Sequence, residues 1–492
     1  MISLTSFLTG ALRKLRLADM YILNRNRRKP KSQARERAAA IREIFMAVIH
    51  AEHALLPEGL ARDVRITFSG SGIGRVETGA AVQAGDERHR FVVPAMPNLH
   101  SHAFQRAMAG LAETRGPGAD SFWSWRTEMY RVALSMTPEQ VEAVAAQLYM
   151  EMLEAGFCRV GEFHYLHHDK DGSHYADPAE MAARIGAASA ETGIALTLLP
   201  VFYAHSGFGG AAPIEGQRRF IHDVDAFARL MERSEEIVAG LPGAVLGIAP
   251  HSLRAATPDE LRAVVPFASG GPVHIHVAEQ VKEVEDCIAW SGKRPVEWLL
   301  DNMQLDDRWC LIHATHMTAD ETARMGKSGA VAGLCPITEA NLGDGVFEAP
   351  DFLAAGGRFG VGSDSNILIS LEEELRTLEY SQRLLRRSRN VVADPGQSTG
   401  LNLYMQALKG GAQALGTTGG IEAGRPADLL ALDLSATRYL PAEKVLDHFV
   451  FARGIGVDSV WVGGAKQVEA GCHRKRDAIA ARFAEVMAEL AE

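Results

Sequence analysis

Two histidines one residue apart, His100 and His102, end the apolar stretch that begins at Pro94. Imidazole nitrogens are good ligands for zinc and other divalent first-row metal ions. Because side chains alternate between the two faces of a strand, residues two apart point the same way, and both rings can reach one ion. A His-x-His pair also occurs by chance in polar loops, so the pair alone leaves both interpretations open.

Three further side chains enlarge this set of metal-competent groups. His276, His313 and Asp364 each stand at the end of an apolar run of strand length. Three neutral imidazoles and one carboxylate bind zinc well and leave a position for water, whereas a structural site is closed by four protein ligands that usually include cysteine. No cysteine lies in such a cluster, so the pattern predicts a catalytic divalent ion. The ligand types favour Zn²⁺ but leave iron and manganese open.

Glu279 lies three residues after His276, in the segment HVAEQ. If the strand end turns into a helix, its carboxylate comes close enough to the metal site to ferry protons between a water molecule and a leaving group. The alternative is a glutamate at the start of a surface helix, where the helix dipole favours it. Two roles stay open for His313: a fourth metal ligand, or a base or electrostatic partner for the activated water.

These side chains need strands that deliver them to one rim. Helical patterns separate the apolar runs, and one of them has Thr137 as N-cap, Pro138 at its first position and Gly156 as its stop signal. Buried strands that alternate with helices pair in parallel. Eight such units predict an α/β fold, a (β/α)8 TIM-type barrel with its functional groups at the carboxyl ends of the strands. A doubly wound open sheet is the alternative. The runs are FVVPAMPNLH, CRVGEFHYL, IALTLLPVFY, AVLGIAPHSL, PVHIHVAE, WCLIHATH, GAVAGLCPI and RFGVGSDSN.

The chain changes character on both sides of this block. Residues 46–93 and 417–470 alternate apolar and polar residues between glycine-rich turns, which is typical of short antiparallel strands. We expect the two flanks to join into one small β-sandwich domain beside a catalytic barrel over residues 94–416. Residues 471–492 predict an amphipathic C-terminal helix that serves packing or a dimer contact.

Residues 1–45 are basic, with eleven Lys or Arg against three acidic residues, whereas the whole chain carries a net charge of −10. One interpretation is a targeting or nucleic-acid-binding arm. The other is a disordered tail, or translated upstream sequence with the natural start at Met46. The second is favoured because the segment from Met46 is typical of the opening strand of a domain.

The composition is that of an ordinary soluble globular protein, with 47% hydrophobic and 23% charged residues among 492. The acidic balance argues against a nucleic-acid partner. No apolar run of about 18 residues appears, so no membrane association is expected. The cysteines are scattered and form no CxxC pair, which indicates no disulfide framework and fits a reducing cytoplasm. They are Cys158, Cys287, Cys310, Cys335 and Cys472.

The constellation resembles the amidohydrolase superfamily over roughly residues 46–470. The resemblance rests on the His-x-His pair, the HxxE spacing after His276, His313, and Asp364 within GVGSDSN. It implies the barrel with a β-sandwich formed by both termini. Binuclear members bridge two ions with a carboxylated lysine at strand four, but this chain reads GIAPHSL there, which implies a single ion. The implied metal ligands are His100, His102, His276 and Asp364.

Within that superfamily, several long motifs resemble the N-formimino-L-glutamate deiminase family. Its members hydrolyse the formimino group, giving N-formyl-L-glutamate and ammonia in histidine degradation. The resemblance implies that a metal-bound hydroxide attacks the formimino carbon, that His313 assists its deprotonation, and that Glu279 carries a proton to the departing ammonia. Asp364 can share the role of proton acceptor, and a homodimer is implied. The motifs are MPNLHSHAFQRAMAGLAE, DSFWSWRTEMY, GEFHYLHH, APHSLRA, HIHVAEQ and CPITEANLGDG.

A small-molecule dicarboxylate needs cations away from the metal, and arginine binds carboxylates bidentately. The resemblance implies five substrate-contacting positions: Gln105, Arg126, Tyr165, His251 and Arg254. The structural alternatives are a surface salt bridge for Arg126, a packed ring with a bonded hydroxyl for Tyr165 and a helix-start side chain for Gln105. No role is assigned to Glu339 or Asn341.

Two other functions stay open at this point. One is a deaminase of another amidine, such as a nucleobase or a guanidino compound, and the two arginines argue against it because a neutral base would leave them idle. The other is a non-catalytic barrel scaffold, and the complete set of metal-competent groups argues against that.

Overall fold

The computed structural model of the protein describes residues 48–115 and 121–491. The basic segment 1–45 and the expected start at Met46 lie outside the described residues. Among the helices that are described, none is both long enough and apolar enough to cross a membrane.

The strands form a small sheet, contributed by both ends of the chain, and a barrel between them. The small sheet begins with β1 Val48–Leu56, β2 Gly59–Ser69, β3 Gly72–Glu77 and β4 Glu87–Pro94. The barrel strands follow as β5 Met96–Ser101, β6 Phe157–His164, β7 Ala195–Phe202, β8 Val245–Leu246, β9 Ala249–Pro250, β10 Val273–Val277, β11 Trp309–His313, β12 Val331–Leu334 and β13 Arg358–Val361. The small sheet is completed by β14 Leu429–Asp433, β15 Gly456–Val462, β16 Ala465–Glu469 and β17 Cys472–His473.

The barrel closes through parallel pairing. One set of neighbours runs from β5 through β6 and β7 to β8 and β9, and a second runs from β10 to β13. Single parallel bridges from Ile248 to Val273 and from Ser101 to Asp364 join the two sets at both seams. Every residue of β6 and β7 is buried, as expected for strands covered on both faces. The (β/α)8 barrel is therefore confirmed, and the open doubly wound sheet is excluded.

Most of the helices lie around this barrel. They are α1 Phe122–Ser135, α2 Pro138–Glu154, α3 Glu180–Thr192, α4 Val224–Ala239, α5 Pro258–Val264, α6 Val281–Ser291, α7 Pro295–Asn302, α8 Ala319–Ser328, α9 Pro336–Leu342, α10 Ala349–Ala354, α11 Leu371–Arg386, α12 Thr399–Ala414, α13 Val445–Phe451 and α14 Arg476–Ala491. The helix expected after Thr137 is α2: the Thr137 side chain accepts the Gln140 N–H, and Gly156 follows the helix with φ 93°. The C-terminal helix α14 packs against α2, with Gln140 donating to Glu489 over 2.9 Å.

The small sheet is continuous, in the order β17-β16-β15-β14-β4-β1-β2-β3. The antiparallel pair β4 and β14 joins the two ends of the chain. The expectation of purely antiparallel strands is wrong for β1 and β4, which pair in parallel. After the β2–β3 hairpin, residues 78–86 carry the chain back to the end at which β1 began, so β4 enters beside β1 in the same direction.

Two of the eight apolar runs are divided in the structure. The first run breaks at Ala95, whose N–H donates to the Asp428 carbonyl over 3.0 Å, whereas the next N–H, of Met96, donates to Gly156 over 3.2 Å. The run FVVPAMPNLH therefore ends β4 of the small sheet and then forms β5 of the barrel. The fourth run breaks around Gly247, where a Cβ atom would lie 2.6 Å from the Pro272 carbonyl oxygen. Continuous hydrophobicity did not reveal either break.

Candidate metal centre and substrate pocket

Four of the predicted metal ligands converge at the carboxyl end of the barrel. One ligand atom from each of His100, His102, His276 and Asp364 lies within 4.8 Å of all the others. The Nε2 atoms of His100 and His276 are 3.1 Å apart. Asp364 Oδ1 lies 3.3 Å from His102 Nε2 and 3.4 Å from His100 Nε2. All four side chains are buried.

The ring orientations leave nitrogen lone pairs facing this point. His102 Nδ1 donates to the Phe163 carbonyl over 3.0 Å, and His276 Nδ1 donates to the His251 carbonyl over 3.1 Å. Since a carbonyl only accepts, each of these rings carries its hydrogen on Nδ1 when neutral and turns an unprotonated Nε2 inward. Burial lowers the pKa of His100 to about 3 and that of His276 well below its usual value, which favours neutral imidazole. Neutral imidazoles and a carboxylate around one point fit a divalent cation.

Asp364 reaches the cluster through an unusual backbone conformation. Its φ is 47°, in the left-handed region, and it lies three residues after the end of strand β13. The Asp364 N–H donates to the His100 carbonyl over 3.0 Å, and the His102 N–H donates to the Asp364 carbonyl over 3.1 Å. Burial by itself would raise the pKa of Asp364, but the adjacent His100 and His102 outweigh it and hold that pKa well below its usual value. The carboxylate is therefore ionised and aimed at the three imidazoles.

His313 lies beside this group and not within it. Its Nε2 is 3.8 Å from Asp364 Oδ2 and 3.8 Å from Glu279 Oε1, and its backbone has φ 65°. Burial lowers the pKa of His313, but the carboxylates around it, foremost Glu279, outweigh burial and raise that pKa to about 10. This placement suits a proton carrier or electrostatic partner better than a fourth imidazole ligand.

Glu279 is a buried residue, which contradicts the alternative of a surface helix start. It sits in the turn between β10 and α6, after Ala278 with φ 51°. The Glu283 carboxylate accepts the N–H groups of Ala278 and Glu279, each over 3.2 Å, and so fixes this turn. Burial raises the pKa of Glu279, although the neighbouring His313 opposes the shift. A carboxyl group that readily holds a proton near the predicted metal ligands is suited to general acid–base work.

Glu339, to which the sequence assigned no role, orients His313. Its Oε1 accepts from His313 Nδ1 over 3.2 Å and from the Cys335 N–H over 2.9 Å. A carboxylate in this position fixes the tautomer and the ring direction of a functional histidine. The available signal was an acidic residue in the first turn after the seventh barrel strand. Asn341, the other unassigned residue, is exposed and donates to Glu113 over 3.0 Å.

Replacing Glu339 with glutamine is expected to lower kcat by about 10- to 100-fold, because His313 loses the charged partner that orients it. Asn341→Ala, in the same helix but at the surface, serves as the matched control and should keep native kcat. Steady-state kinetics with metal analysis checks both variants. A Glu339→Gln enzyme with native kcat would show that the contact between Glu339 and His313 does not serve the reaction.

The pocket beside these ligands is small. Its cavity volume is about 50 Å³. A larger groove of about 1010 Å³ lies at the amino ends of the strands and contains none of the predicted site residues. All five predicted substrate-contacting residues line the small pocket: Gln105, Arg126, Tyr165, His251 and Arg254.

Two guanidinium groups in this pocket have no carboxylate partner among the described residues. Arg126 donates to the Tyr203 hydroxyl over 3.5 Å and lies over the Tyr130 ring, so it does not form the surface salt bridge considered above. Arg254 lies near the Trp123 ring, and its Nε atom is buried without a hydrogen-bond partner in the described parts of the chain. Cations that line a pocket without a carboxylate partner favour an anionic ligand.

The neutral residues are placed beside these cations. The Gln105 amide donates to the Tyr165 hydroxyl over 2.9 Å, and that hydroxyl lies 3.7 Å from Met129 sulfur. The Gln105 carbonyl oxygen is buried without a partner among the described residues. His274, which strand alternation could not separate from His276, bonds the Ala414 carbonyl over 2.7 Å, outside this pocket.

Sequence reasoning missed the aromatic wall of this pocket. The signal for Tyr203 was an aromatic residue directly after the third barrel strand, and the α1 residues lay in a long loop whose helix was not predicted. The wall is formed by Phe122, Trp125, Tyr130, Tyr203 and Phe220.

Comparison with known proteins extends this description. The family described as "Amidohydrolase family" matches residues 91–466, and "Formimidoylglutamate deiminase HutF, N-terminal domain" matches residues 46–90. The chain is 51% identical over 452 residues to formimidoylglutamate deiminase of Pseudomonas aeruginosa, covering 90% of this chain and 100% of that protein. It is 28% identical to a 5-methylthioadenosine/S-adenosylhomocysteine deaminase of Natronomonas pharaonis, over 80% of this chain and 85% of that one.

Solved structures agree with the fold. The crystal structure of an amidohydrolase from Brucella melitensis matches with a TM-score of 0.89 and 60% identity, covering 91% of this chain and 100% of that chain. A zinc-bound adenosine deaminase from Xanthomonas campestris matches with a TM-score of 0.74 at 22% identity, covering 90% of this chain and 98% of that one. At 22% identity the second likeness concerns the fold alone.

Proposed function

Because this chain belongs to the amidohydrolase family, in the branch of the formimidoylglutamate deiminases, we propose that it hydrolyses N-formimino-L-glutamate to N-formyl-L-glutamate and ammonia. One observation carries the proposal: His102, His276 and Asp364 of the metal-competent cluster line the same small pocket as two arginines that have no carboxylate partner among the described residues. In this proposal an amidine carbon lies at the cluster, and the carboxylates of the same molecule lie at the arginines.

The resident cofactor in this proposal is one divalent ion, Zn²⁺ before iron or manganese, bound by the four converging ligands described above. Three imidazole nitrogens and one carboxylate oxygen leave a coordination position open, as catalytic zinc sites require. The strand that would carry a bridging lysine ends at Pro250, and no lysine is among the described residues that line the pocket. When bound, the ion polarises a water molecule so that it becomes a nucleophile near neutral pH.

The protein's own groups manage the protons. Glu279 accepts a proton from the attacking water and delivers it to the imino nitrogen, which leaves as ammonia. His313, held by Glu339 and 3.8 Å from an Asp364 oxygen, stabilises the negative charge that develops as the formimino carbon becomes tetrahedral. Asp364 shares the role of proton acceptor. The buried position of these groups keeps bulk water away from the reacting carbon.

The pocket selects its substrate through the substrate's two carboxylates. Arg126 and Arg254 bind them through charge-assisted hydrogen bonds. Gln105, Tyr165 and His251 position the remainder of the molecule with neutral donors and acceptors. A neutral nucleobase would leave both guanidinium groups without a carboxylate partner in the pocket, which is unfavourable.

Replacing Arg254 with glutamine is expected to raise KM for N-formimino-L-glutamate by about 10- to 100-fold, the loss that corresponds to one hydrogen bond between charged groups. The effect on kcat should be smaller, because Arg254 is not one of the four residues of the metal-competent cluster. Arg262→Gln is the matched control, since Arg262 forms an exposed pair with Asp259. Equal KM values for the Arg254 variant and the native enzyme would remove Arg254 from the binding site.

Ammonia release tests the proposed function. The metal-loaded enzyme should release ammonia from N-formimino-L-glutamate with kcat/KM at least about 100-fold above that for 5-methylthioadenosine or 8-oxoguanine, because two carboxylate contacts are lost with those bases. Turnover of a base alone would favour the deaminase of another amidine. Absence of bound metal and of all turnover would favour the scaffold.

Two features of the expected organisation stay predictions. One is a homodimer in the cytoplasm. The other is the division into a β-sandwich domain of residues 46–93 with 417–470, a catalytic barrel over 94–416 and the C-terminal segment 471–492. Light scattering after size exclusion checks the dimer, with a monomer mass of 53.2 kDa as the reference.

A further inference from the structure

Tyr203 occupies a position in the pocket that none of the roles above uses. It directly follows β7, is 4% exposed, and packs its ring against the His251 ring at a centroid distance of 4.5 Å. Its hydroxyl is turned toward Arg126. A buried phenol normally has its hydroxyl hydrogen-bonded, so the direction of each bond it makes is informative.

The direction of the first bond is fixed by Gln217, whose side chain is fully buried. The backbone N–H of Ile214 donates to Gln217 Oε1 over 3.0 Å. Since a backbone N–H cannot accept, this contact identifies the oxygen of the amide, and the opposite atom is the NH₂ group. That NH₂ group donates to the Tyr203 hydroxyl oxygen over 2.8 Å.

The second neighbour is also only a donor. Arg126 Nη2 lies 3.5 Å from the Tyr203 oxygen, and a guanidinium has no acceptor. The two lone pairs of the Tyr203 hydroxyl oxygen therefore each accept from a hydrogen-bond donor. Its own hydrogen finds no protein acceptor among the described residues, and the side chain lines the pocket. The hydroxyl can then donate only to something that enters the pocket.

We propose that Tyr203 is a further specificity-determining residue, which donates its hydroxyl hydrogen to a carboxylate of the substrate. Gln217 acts as a positioning residue, because it keeps the phenol polarised as a donor toward the pocket. Arg126, Arg254 and Tyr203 together offer hydrogen-bond donors to the pocket. Such a surface suits a carboxylate and disfavours a neutral group that has no acceptor. The inference rests on the proposed function and deepens it.

Tyr203→Phe removes the hydroxyl and keeps the ring on His251. For N-formimino-L-glutamate, KM is expected to rise about 10- to 100-fold while kcat changes less than about 3-fold, since the lost bond is to a charged group away from the reacting carbon. Two analogues identify the carboxylate: 4-(formimidoylamino)butanoate lacks the α-carboxylate, and 2-(formimidoylamino)butanoate lacks the γ-carboxylate. For the analogue without the bound carboxylate, the native and variant KM values should agree within about 3-fold.

Two controls accompany this variant. Tyr439→Phe, at a residue that is 75% exposed, should keep native kinetics. Gln217→Glu replaces the donating NH₂ group with an acceptor that takes the phenol's hydrogen, and it should raise KM for N-formimino-L-glutamate without direct substrate contact. An equal rise in KM for the substrate and both analogues in Tyr203→Phe would indicate a merely structural role and overturn the inference, as would an unchanged KM.

Failure of the inference is distinguishable from failure of the proposed function. If the native enzyme releases ammonia from N-formimino-L-glutamate and Tyr203→Phe retains its KM, only the inference fails. If the native enzyme does not release ammonia from this substrate, the proposed function fails. Calorimetric titration of the metal-loaded proteins with glutarate then decides the inference: binding weakened about 10-fold or more by Tyr203→Phe supports it, and equal binding or none overturns it.

Discussion

Glu279→Gln is expected to lower kcat for N-formimino-L-glutamate by about 100- to 10,000-fold while the metal stays bound. The amide keeps the size of the carboxylate but neither accepts a proton from water nor delivers one to the leaving nitrogen. The residue lies outside the four-ligand cluster, with its Oε1 3.8 Å from His313 Nε2. Loss of turnover with full metal content would therefore report proton transfer and not ligation.

Two measurements make this prediction sharp. Metal content by plasma mass spectrometry should equal that of the native enzyme, and KM should change far less than kcat. Glu285→Gln is the matched control, because Glu285 is exposed on α6, the helix that follows the Glu279 turn. A Glu279→Gln enzyme with more than about a tenth of native kcat would contradict the role of Glu279 in proton transfer.

Removal of the metal is expected to abolish turnover and to lower the melting temperature. Activity should fall to the uncatalysed level after dialysis against a chelator and should return with one equivalent of Zn²⁺. An ion that binds only the folded protein stabilises it by mass action, so the melting temperature should rise with Zn²⁺ concentration.

A ligand variant distinguishes this site from adventitious zinc. His102→Ala should bind substoichiometric metal and stay inactive after Zn²⁺ is added, because one of four ligands is gone. His174→Ala, at an exposed histidine, should recover fully under the same treatment. Full activity of the chelator-treated native enzyme, with no metal detected, would contradict the metal-dependent mechanism.

Much of this site was predictable because its residues stand at the ends of strands. His100, His102 and His276 were identified as metal-competent from their places after buried apolar runs, and the structure brings them together with Asp364. In a parallel barrel the carboxyl ends of all strands lie at the same rim. Residues at the ends of different strands in the sequence are therefore predicted to lie close together in the fold. The barrel itself followed from the same alternation of buried strands and helices.

What the sequence could not show depends on local backbone geometry. His313 and Asp364 have left-handed φ values, which are uncommon for residues other than glycine and which a sequence pattern does not locate. The role of Glu339 depends on the hydrogen bond between its carboxylate and His313, which the sequence does not show. The boundary at Ala95 depends on a change of hydrogen-bond partner inside one apolar run. In each case contacts distant in sequence decide the outcome.

Product analysis in ¹⁸O-labelled water tests the central claim most directly. The metal-loaded enzyme should convert N-formimino-L-glutamate into equimolar ammonia and N-formyl-L-glutamate, with one ¹⁸O atom in the formyl group, because water attacks the formimino carbon and the imino nitrogen leaves. Mass spectrometry and an ammonia assay on the same sample give both quantities. Formation of L-glutamate and formamide, or of no product at all, would contradict the account.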